Sequence, residues 1–267
     1  MTDKQIILEA KNIVTGYKNN KSIKKVTNDF SFSVNRNSIT TIIGPNGSGK
    51  TTLLKTISGI IKPLSGNIFY SLNNNIQPCT ENLMQDSPPL IDILNSEKMD
   101  AVAFAKARSV VLSKSPETGM LTVFEIISLG RFPYIGWKGK FTEQDYIETE
   151  KALAEIGIGY LSKRIFRTLS DGEKQKVMIA RALAQNTSLI FFDEPSAFLD
   201  LPSKIELSKL IADISKNKTI MITTHDIDFA LNYSNELWII DRDGNIHAGT
   251  PEKLCKVIEN IFKITLS

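Results

Sequence analysis

Four stretches of this chain hold the residue types, at the spacing, that phosphate chemistry needs. The first, Gly44-Pro45-Asn46-Gly47-Ser48-Gly49-Lys50-Thr51-Thr52, fits the pattern G-x-x-x-x-G-K-[ST]. Its glycines let backbone N–H groups wrap an anion, where a Cβ at Gly47 or Gly49 would block the backbone angles or the approach. Lys50 adds a point charge for β- and γ-phosphates, the Thr51 hydroxyl can ligate magnesium, and Thr52 can assist through its hydroxyl or its backbone. The second, Leu189-Ile190-Phe191-Phe192-Asp193-Glu194, is an apolar run ending in two carboxylates. Two acids closing a buried strand are costly without a cation nearby, so Asp193 reads as a holder of magnesium through water and Glu194 as the group that orients or deprotonates an attacking water. The third, Thr219 to Thr224, ends at His225, one of only two histidines. A neutral imidazole at a strand end can reach a γ-phosphate, although a lone histidine is more often structural. The fourth is Leu169-Ser170-Asp171-Gly172-Glu173. Ser170 and Glu173 have capping-box spacing there, and the helix start they define is equally an anion site, so spacing alone does not separate the two readings.

These groups need elements to hold them. The β-branched run Ile39 to Ile43 leads into the glycine-rich loop, and Leu53, Leu54 and Ile57 follow at helical spacing, giving strand, loop and helix in the required order. Ile6 to Val14 and Val26 to Val34 read as strands of a small antiparallel layer, with Asn67 to Tyr70 a further strand. Tyr17, at a strand end, can stack on an adenine ring or simply pack half-buried. From Ser71 to Asp100 asparagine, serine and proline dominate, which predicts a long surface loop with at most one short helix near Leu90 to Leu94. Ala101 to Ala107 reads as a helix, Val110 to Leu112 as a buried strand, and Leu121 to Gly130 as a helix closed by its glycine. Arg131-Phe132-Pro133-Tyr134-Ile135-Gly136-Trp137 is aromatic and proline-broken, and reads as an irregular surface contact segment. Thr142 with Asp145 predicts the cap of a helix to Ile156, and Lys174 to Gln185 a strong helix. Glu236 to Gly249 reads as a hairpin about Asp243-Gly244, with a last helix from Pro251.

Composition narrows the classes. With 267 residues, 42% hydrophobic, 23% charged and a net charge of +3, the chain reads as a soluble globular protein, with no basic block to take nucleic acid. No apolar run reaches the length of a membrane span, and the start lacks the basic-then-apolar order of a signal peptide, so the expected location is cytoplasmic. Cys79 and Cys255 read as free thiols of a reducing compartment.

Taken in order, the glycine-rich loop, Leu169-Ser170-Asp171-Gly172-Glu173, Phe192-Asp193-Glu194-Pro195, Leu199-Asp200 and Thr224-His225-Asp226 resemble the nucleotide-binding subunit of ABC transporters over nearly the whole chain. Leu121-Thr122-Val123, Leu129 to Tyr134 and Gly136-Trp137 look like the subset serving importers of ferric siderophores, haem and cobalamin. The resemblance implies an α/β fold: a P-loop NTPase core with a mostly parallel sheet, a small N-terminal antiparallel β layer and an inserted helical subdomain. It implies one ATPase domain over 1–267, with the core in 1–112 and 169–267, a loop insertion at 71–100 and the helical subdomain at 113–168. ATP and Mg2+ are the implied cofactors. Ser170 and Gly172 of one subunit would cover the γ-phosphate held by Lys50 of the other in a head-to-tail homodimer. Glu194 would polarise water, His225 would bridge water and γ-phosphate, Asp200 would cross the dimer interface, and Tyr17 would stack on adenine. Permease subunits, and through them a periplasmic or surface substrate-binding protein, are the implied partners, which places the chain peripherally on the cytoplasmic face of the cell membrane.

Three positions depart from the family pattern. Asp171 stands where glycine is usual and Glu173 where glutamine is common, placing negative charge near a phosphate site. Lys114 aligns with the family's magnesium-contacting glutamine, since Gln85 falls too far before Leu121. The rival functions are a soluble ABC ATPase acting on a non-transport protein assembly and a nucleotide-dependent scaffold with little turnover. The first is disfavoured because translation-type members usually carry two cassettes, the second by the presence of both Glu194 and His225.

Overall fold

A computed structural model describes residues 5–19, 22–71, 90–92, 101–114, 116–136 and 139–265. Two compact units divide the chain, residues 1–99 with 219–267 and residues 100–218. In the first, β1 (Ile6–Val14) is the centre of an antiparallel layer. A short hairpin, β2 (Gly16–Asn19) with β3 (Ser22–Lys25), follows it, then β4 (Phe30–Asn35), β5 (Ile39–Ile43) and the helix α1 (Lys50–Ile57). β6 (Ser65–Ser71) and β7 (Leu90–Asp92) complete the layer in the order β4-β1-β6-β7, with Leu8 opposite both Val34 and Tyr70. The Tyr70 hydroxyl donates to the Ile57 carbonyl and so anchors the end of α1 to this layer. The expected strand from Val26 begins only at Phe30. The expected short helix near Leu90 is instead β7, paired antiparallel with β6, because the edge of β6 offers backbone groups that a three-residue segment can satisfy. The rest of the 71–100 insertion, with Cys79 and Gln85, lies outside the described residues.

The second unit starts with α2 (Ala101–Ala107) and β8 (Arg108–Val111); Leu112, expected in that strand, is left exposed. α3 (Val123–Ser128), α4 (Glu143–Glu155) and α5 (Asp171–Ala184) each begin with a complete capping box, made by Thr122 with Glu125, Thr142 with Asp145, and Ser170 with Glu173. Each cap satisfies backbone N–H groups that the helix leaves open and is worth about 1 kcal/mol. The predicted helix through Gly130 ends at Ser128 and tightens into a 3-10 segment, Leu129–Tyr134. Gly130 serves close packing rather than termination: a Cβ there would lie 2.3 Å from the Arg181 carbonyl oxygen. Nor is this segment an irregular surface stretch. Arg131 is 4% exposed, with Nε 3.0 Å from Asp145 Oδ1, Nη1 2.7 Å from the Ala184 carbonyl and its guanidinium over the Tyr134 ring. It thus ties the 3-10 segment to α4 and to the end of α5, while Phe132 remains exposed and Trp137 lies outside the described residues. β9 (Leu189–Asp193) pairs parallel with β8, and α6 (Leu201–Ser215) follows, capped by Asp200.

The chain then returns to the first unit. β10 (Thr219–Thr223) and, after α7 (Ile227–Tyr233), β11 (Glu236–Ile240) flank β5 in parallel, and β12 (Ile246–Gly249) closes the predicted hairpin. β5, β10 and most of β11 are buried, as unbroken apolar runs covered on both faces should be. Trp238 of β11, fully buried, meets Phe30 edge-on at 5.2 Å between centroids and Phe32 at 4.4 Å, packing the antiparallel layer onto the parallel strands. His247 pairs with Asp241 across the hairpin at 3.3 Å, a turn-stabilising contact. α8 (Pro251–Phe262) packs Leu254 and Ile258 against Ile43, Leu237 and Ile239.

Candidate active site

Parallel pairing decides where the reactive loop emerges. Thr223 stands opposite Ile42, and the Thr224 N–H donates to the Ile42 carbonyl, so β5 and β10 end side by side. The glycine-rich loop and His225, which is exposed, therefore leave the first unit at one edge, as ligand-binding strand ends do in parallel sheets. The loop is built as a cradle. Ser48 N–H bonds the Pro45 carbonyl, Gly47 has φ +79° and Gly49 has φ +103°, and α1 begins at Lys50 with neither an acid in its first turn nor a side-chain cap. An uncapped helix start offers its N–H groups and dipole to an anion.

Two side chains carry the same implication. The Ser48 hydroxyl is buried without a hydrogen-bond partner, which costs free energy unless a ligand satisfies it. Lys50 is 5% exposed, and its ammonium is aimed back along the loop, 3.0 Å from the Gly44 carbonyl oxygen and 3.3 Å from that of Pro45. It thus lies over the cradle. Tyr17 is half exposed and its hydroxyl shares a hydrogen bond with Thr52 Oγ1 at 3.0 Å, which fixes the ring beside α1. The sequence left this ring either stacking on adenine or packing half-buried, and the link to Thr52 is a separate, positioning contact.

The second unit carries the acids. Asp193 closes β9 at 2% exposure, and Glu194 follows in the left-handed region at φ +49°, with its carbonyl accepting from the Ala197 N–H. Asp200 caps α6; the hydrogen bonds from the Ser203 side chain and backbone hold its carboxyl below the usual range. Ser170 Oγ accepts from the Glu173 N–H, while the Ser170 N–H and hydroxyl both donate to Glu173 Oε2. The Ser170 backbone hydrogen bond is the main reason the Glu173 carboxyl is pulled below its ordinary value, with Arg164 and Lys176 adding to it. Beside this turn lies a groove of about 140 Å³, lined by Ser170, Gly172, Gln175, Ser203 and Leu207. Asp171 is exposed and paired with Lys174 at 3.4 Å, and Lys114 is exposed.

A glycine cradle with an uncapped helix, a buried lysine and an adjoining strand-end histidine is the framework of a nucleotide site. The profile of the ABC transporter family matches residues 27–197. The chain belongs to the ABC transporter family. Among curated relatives, an uncharacterised ABC transporter ATP-binding protein of Methanocaldococcus jannaschii is 34% identical over 255 residues, covering 94% of this chain and 78% of that one. The petrobactin import ATP-binding protein YclP of Bacillus subtilis is 32% identical over 247 residues, covering 91% and 89%. Among solved structures, an ATP-binding cassette of an ABC transporter in its ADP conformation superposes with a TM-score of 0.76 at 25% identity, covering 97% of this chain and 98% of that one. As an ABC ATP-binding subunit the chain is an ATPase coupled to transport, with a P-loop fold of parallel strands and a small antiparallel layer. No helix among the described residues is long and apolar enough to cross a membrane. Membership of the family's importer ATP-binding subunits implies dimerisation and membrane permease partners.

Proposed function

We propose that this subunit powers uptake of an iron chelate of the siderophore class, by ATP-driven closure of a head-to-tail homodimer against its permease. The cargo class rests on relatives such as the petrobactin importer's ATP-binding protein. The observation that carries the site assignment is the P-loop cradle, where a buried, unpartnered Ser48 hydroxyl and a retracted Lys50 await an anion.

Within it, Gly44 to Thr52 wrap the phosphates, Lys50 takes the β- and γ-phosphates, and Tyr17, held by Thr52, stacks on adenine. Magnesium suits the oxygen donors of Thr51 and Asp193, since that ion takes few protein ligands and keeps several waters; when bound it neutralises phosphate charge. Lys114, whose ammonium has no acceptor, supplies no ligand there. Glu194 polarises the attacking water, and His225 bridges water and γ-phosphate. Ser170 and Gly172 of the partner subunit close over that phosphate, with Asp200 crossing the interface. The subunit sits peripherally on the cytoplasmic face of the membrane, and a substrate-binding protein delivers the chelate to the permease.

Complementation tests the shared site. Neither Lys50→Ala nor Ser170→Arg chains should turn over ATP alone, while their mixture should recover one intact composite site per heterodimer. Phosphate release no higher from the mixture than from either variant would overturn the head-to-tail reading.

A further inference from the structure

The turn that carries Ser170 bears two acids, and each has its own cation. Asp171 pairs with Lys174 at 3.4 Å, and Glu173 Oε1 lies 3.5 Å from Arg164 Nη1. The second pair stands closer to the chemistry. Glu173 Oε2 accepts from the Ser170 hydroxyl at 3.1 Å, the same hydroxyl that a partner's phosphate would have to engage. A phosphate oxygen in hydrogen-bond contact with Ser170 Oγ would therefore lie within about two hydrogen-bond lengths of a carboxylate held ionised by its backbone bond. Like charges at that separation repel, and the repulsion grows as closure excludes water. A capping Glu with no counter-cation would work against ATP-driven closure.

We propose that Arg164 is a positioning residue for ATP-driven dimerisation: it cancels the Glu173 charge, so that an acid-bearing signature turn can accept the partner's polyphosphate. This rests on the head-to-tail reading above. Arg164 lies in the loop before α5, nine residues from Glu173 in sequence, and is half exposed at the side chain. Its second tie, from Nη2 to the Thr168 carbonyl at 3.5 Å, is weak, so its main side-chain partner is the carboxylate. Charge cancellation makes a prediction that a packing role does not. Arg164→Ala leaves one net negative charge at the turn, Glu173→Gln leaves one net positive charge, and the double variant restores balance. Glutamine keeps capping-box chemistry, so α5 retains its start.

The experiment measures the dimerisation constant by sedimentation in a non-hydrolysable ATP analogue. Arg164→Ala should weaken the dimer roughly three- to tenfold at low ionic strength, and Glu173→Gln should tighten it by a similar factor. The double variant should return to the wild-type value, Arg164→Lys should stay near it, and the spread should shrink as salt rises to about 0.5 M. A double variant as weak as Arg164→Ala, or a spread that ignores salt, would overturn the proposal and leave Arg164 a structural role through Thr168. Ser170→Arg is the control for the parent reading. If it dimerises like wild type, the head-to-tail arrangement itself fails and the role of Arg164 fails with it. If it blocks dimers while the double variant stays weak, only the charge-balancing role fails.

Discussion

Alanine at Gly49 and at Gly47 makes the same chemical change twice in one loop, and the surroundings predict different outcomes. Gly49 has φ +103°, and a Cβ there would lie 2.2 Å from Val26 Cγ1; Gly47 has φ +79° and nothing within 4 Å. Holding an L-residue at positive φ costs about 1–2 kcal/mol in either case. At Gly49 the clash adds about 1–3 kcal/mol, the usual cost of overpacking. The totals are roughly 2–5 kcal/mol for Gly49→Ala and 1–2 kcal/mol for Gly47→Ala, against a domain stability of about 5–15 kcal/mol. Where the strain surfaces depends on the loop. If the cradle keeps its shape, the loss is seen in folding; if it relaxes, the fold is spared and ATP must restore the cradle, which at about 1.4 kcal/mol per decade weakens binding by roughly 30-fold or more. The conserved quantity is the sum. Urea unfolding without nucleotide gives one part and titration with a fluorescent ATP analogue the other. Val26→Ala removes the clashing methyl, so the Gly49→Ala/Val26→Ala pair should be more stable than additivity by about 1–3 kcal/mol, with no such coupling at Gly47. Equal totals for the two glycines, or no coupling to Val26, would refute the reasoning.

Glu194→Gln should keep ATP binding, lower turnover by about 10²- to 10⁴-fold and accumulate ATP-bound dimers, as loss of a positioned general base does; near-normal phosphate release would remove that role. Arg131→Met should cost about 3–5 kcal/mol in urea unfolding, because Asp145 and the Ala184 carbonyl lose their buried partner; a loss under 1 kcal/mol would mean the pair is solvated. Burial pushes the Asp145 carboxyl up, but the Thr142 backbone and side-chain hydrogen bonds and Arg131 outweigh it and hold the carboxyl below its ordinary value. A depressed carboxylate stabilises fully above its unfolded pKa of about 3.9 and loses that contribution as pH falls through the folded value. Asp145→Asn should therefore be the less stable protein at neutral pH and lose less stability than wild type below about pH 4, and parallel stability-versus-pH curves would contradict this.

Local chemistry made much of the fold legible. Ile39 to Ile43 and Thr219 to Thr223 are uninterrupted β-branched or apolar runs, and the caps legible at Thr142 with Asp145 and at Ser170 with Glu173 start α4 and α5 at those residues. What escaped depends on partners remote in sequence. Arg131 sits among aromatics and a proline, a composition that reads as surface; its burial is licensed by Asp145 fourteen residues on and by a carbonyl at the end of α5. Leu90–Asp92 is too short for alternation to declare itself, and only the edge of β6 makes it a strand. The need for glycine at position 49 was readable, but Val26 as the wall behind it was not. Arg164 carried no signal at all, since nothing in Lys163-Arg164 points to a carboxylate across the turn.

Backbone strain separates the acid at the end of β9 from ordinary turn residues. Five non-glycine residues among those described have positive φ: Asn12, Asn37, Asn186, Glu194 and Lys263. Asparagine tolerates this region because its short amide can satisfy the local backbone, and Lys263 ends α8, where a left-handed cap is common. Glutamate has neither excuse. Its conformation costs on the order of 1 kcal/mol and persists only where the surroundings over-determine it. Here they do: Phe191, Phe192 and Asp193 are buried at the strand end, and the Ala197 N–H closes a turn on the Glu194 carbonyl. The strained bend, closed by the Ala197 N–H, turns the chain out of the strand immediately after Asp193. A relaxed extended residue would continue the strand instead. Under the proposed function, in which Asp193 holds magnesium and Glu194 polarises water, selection for that carboxylate accounts for a strained glutamate at a position where asparagine or glycine would fold more easily.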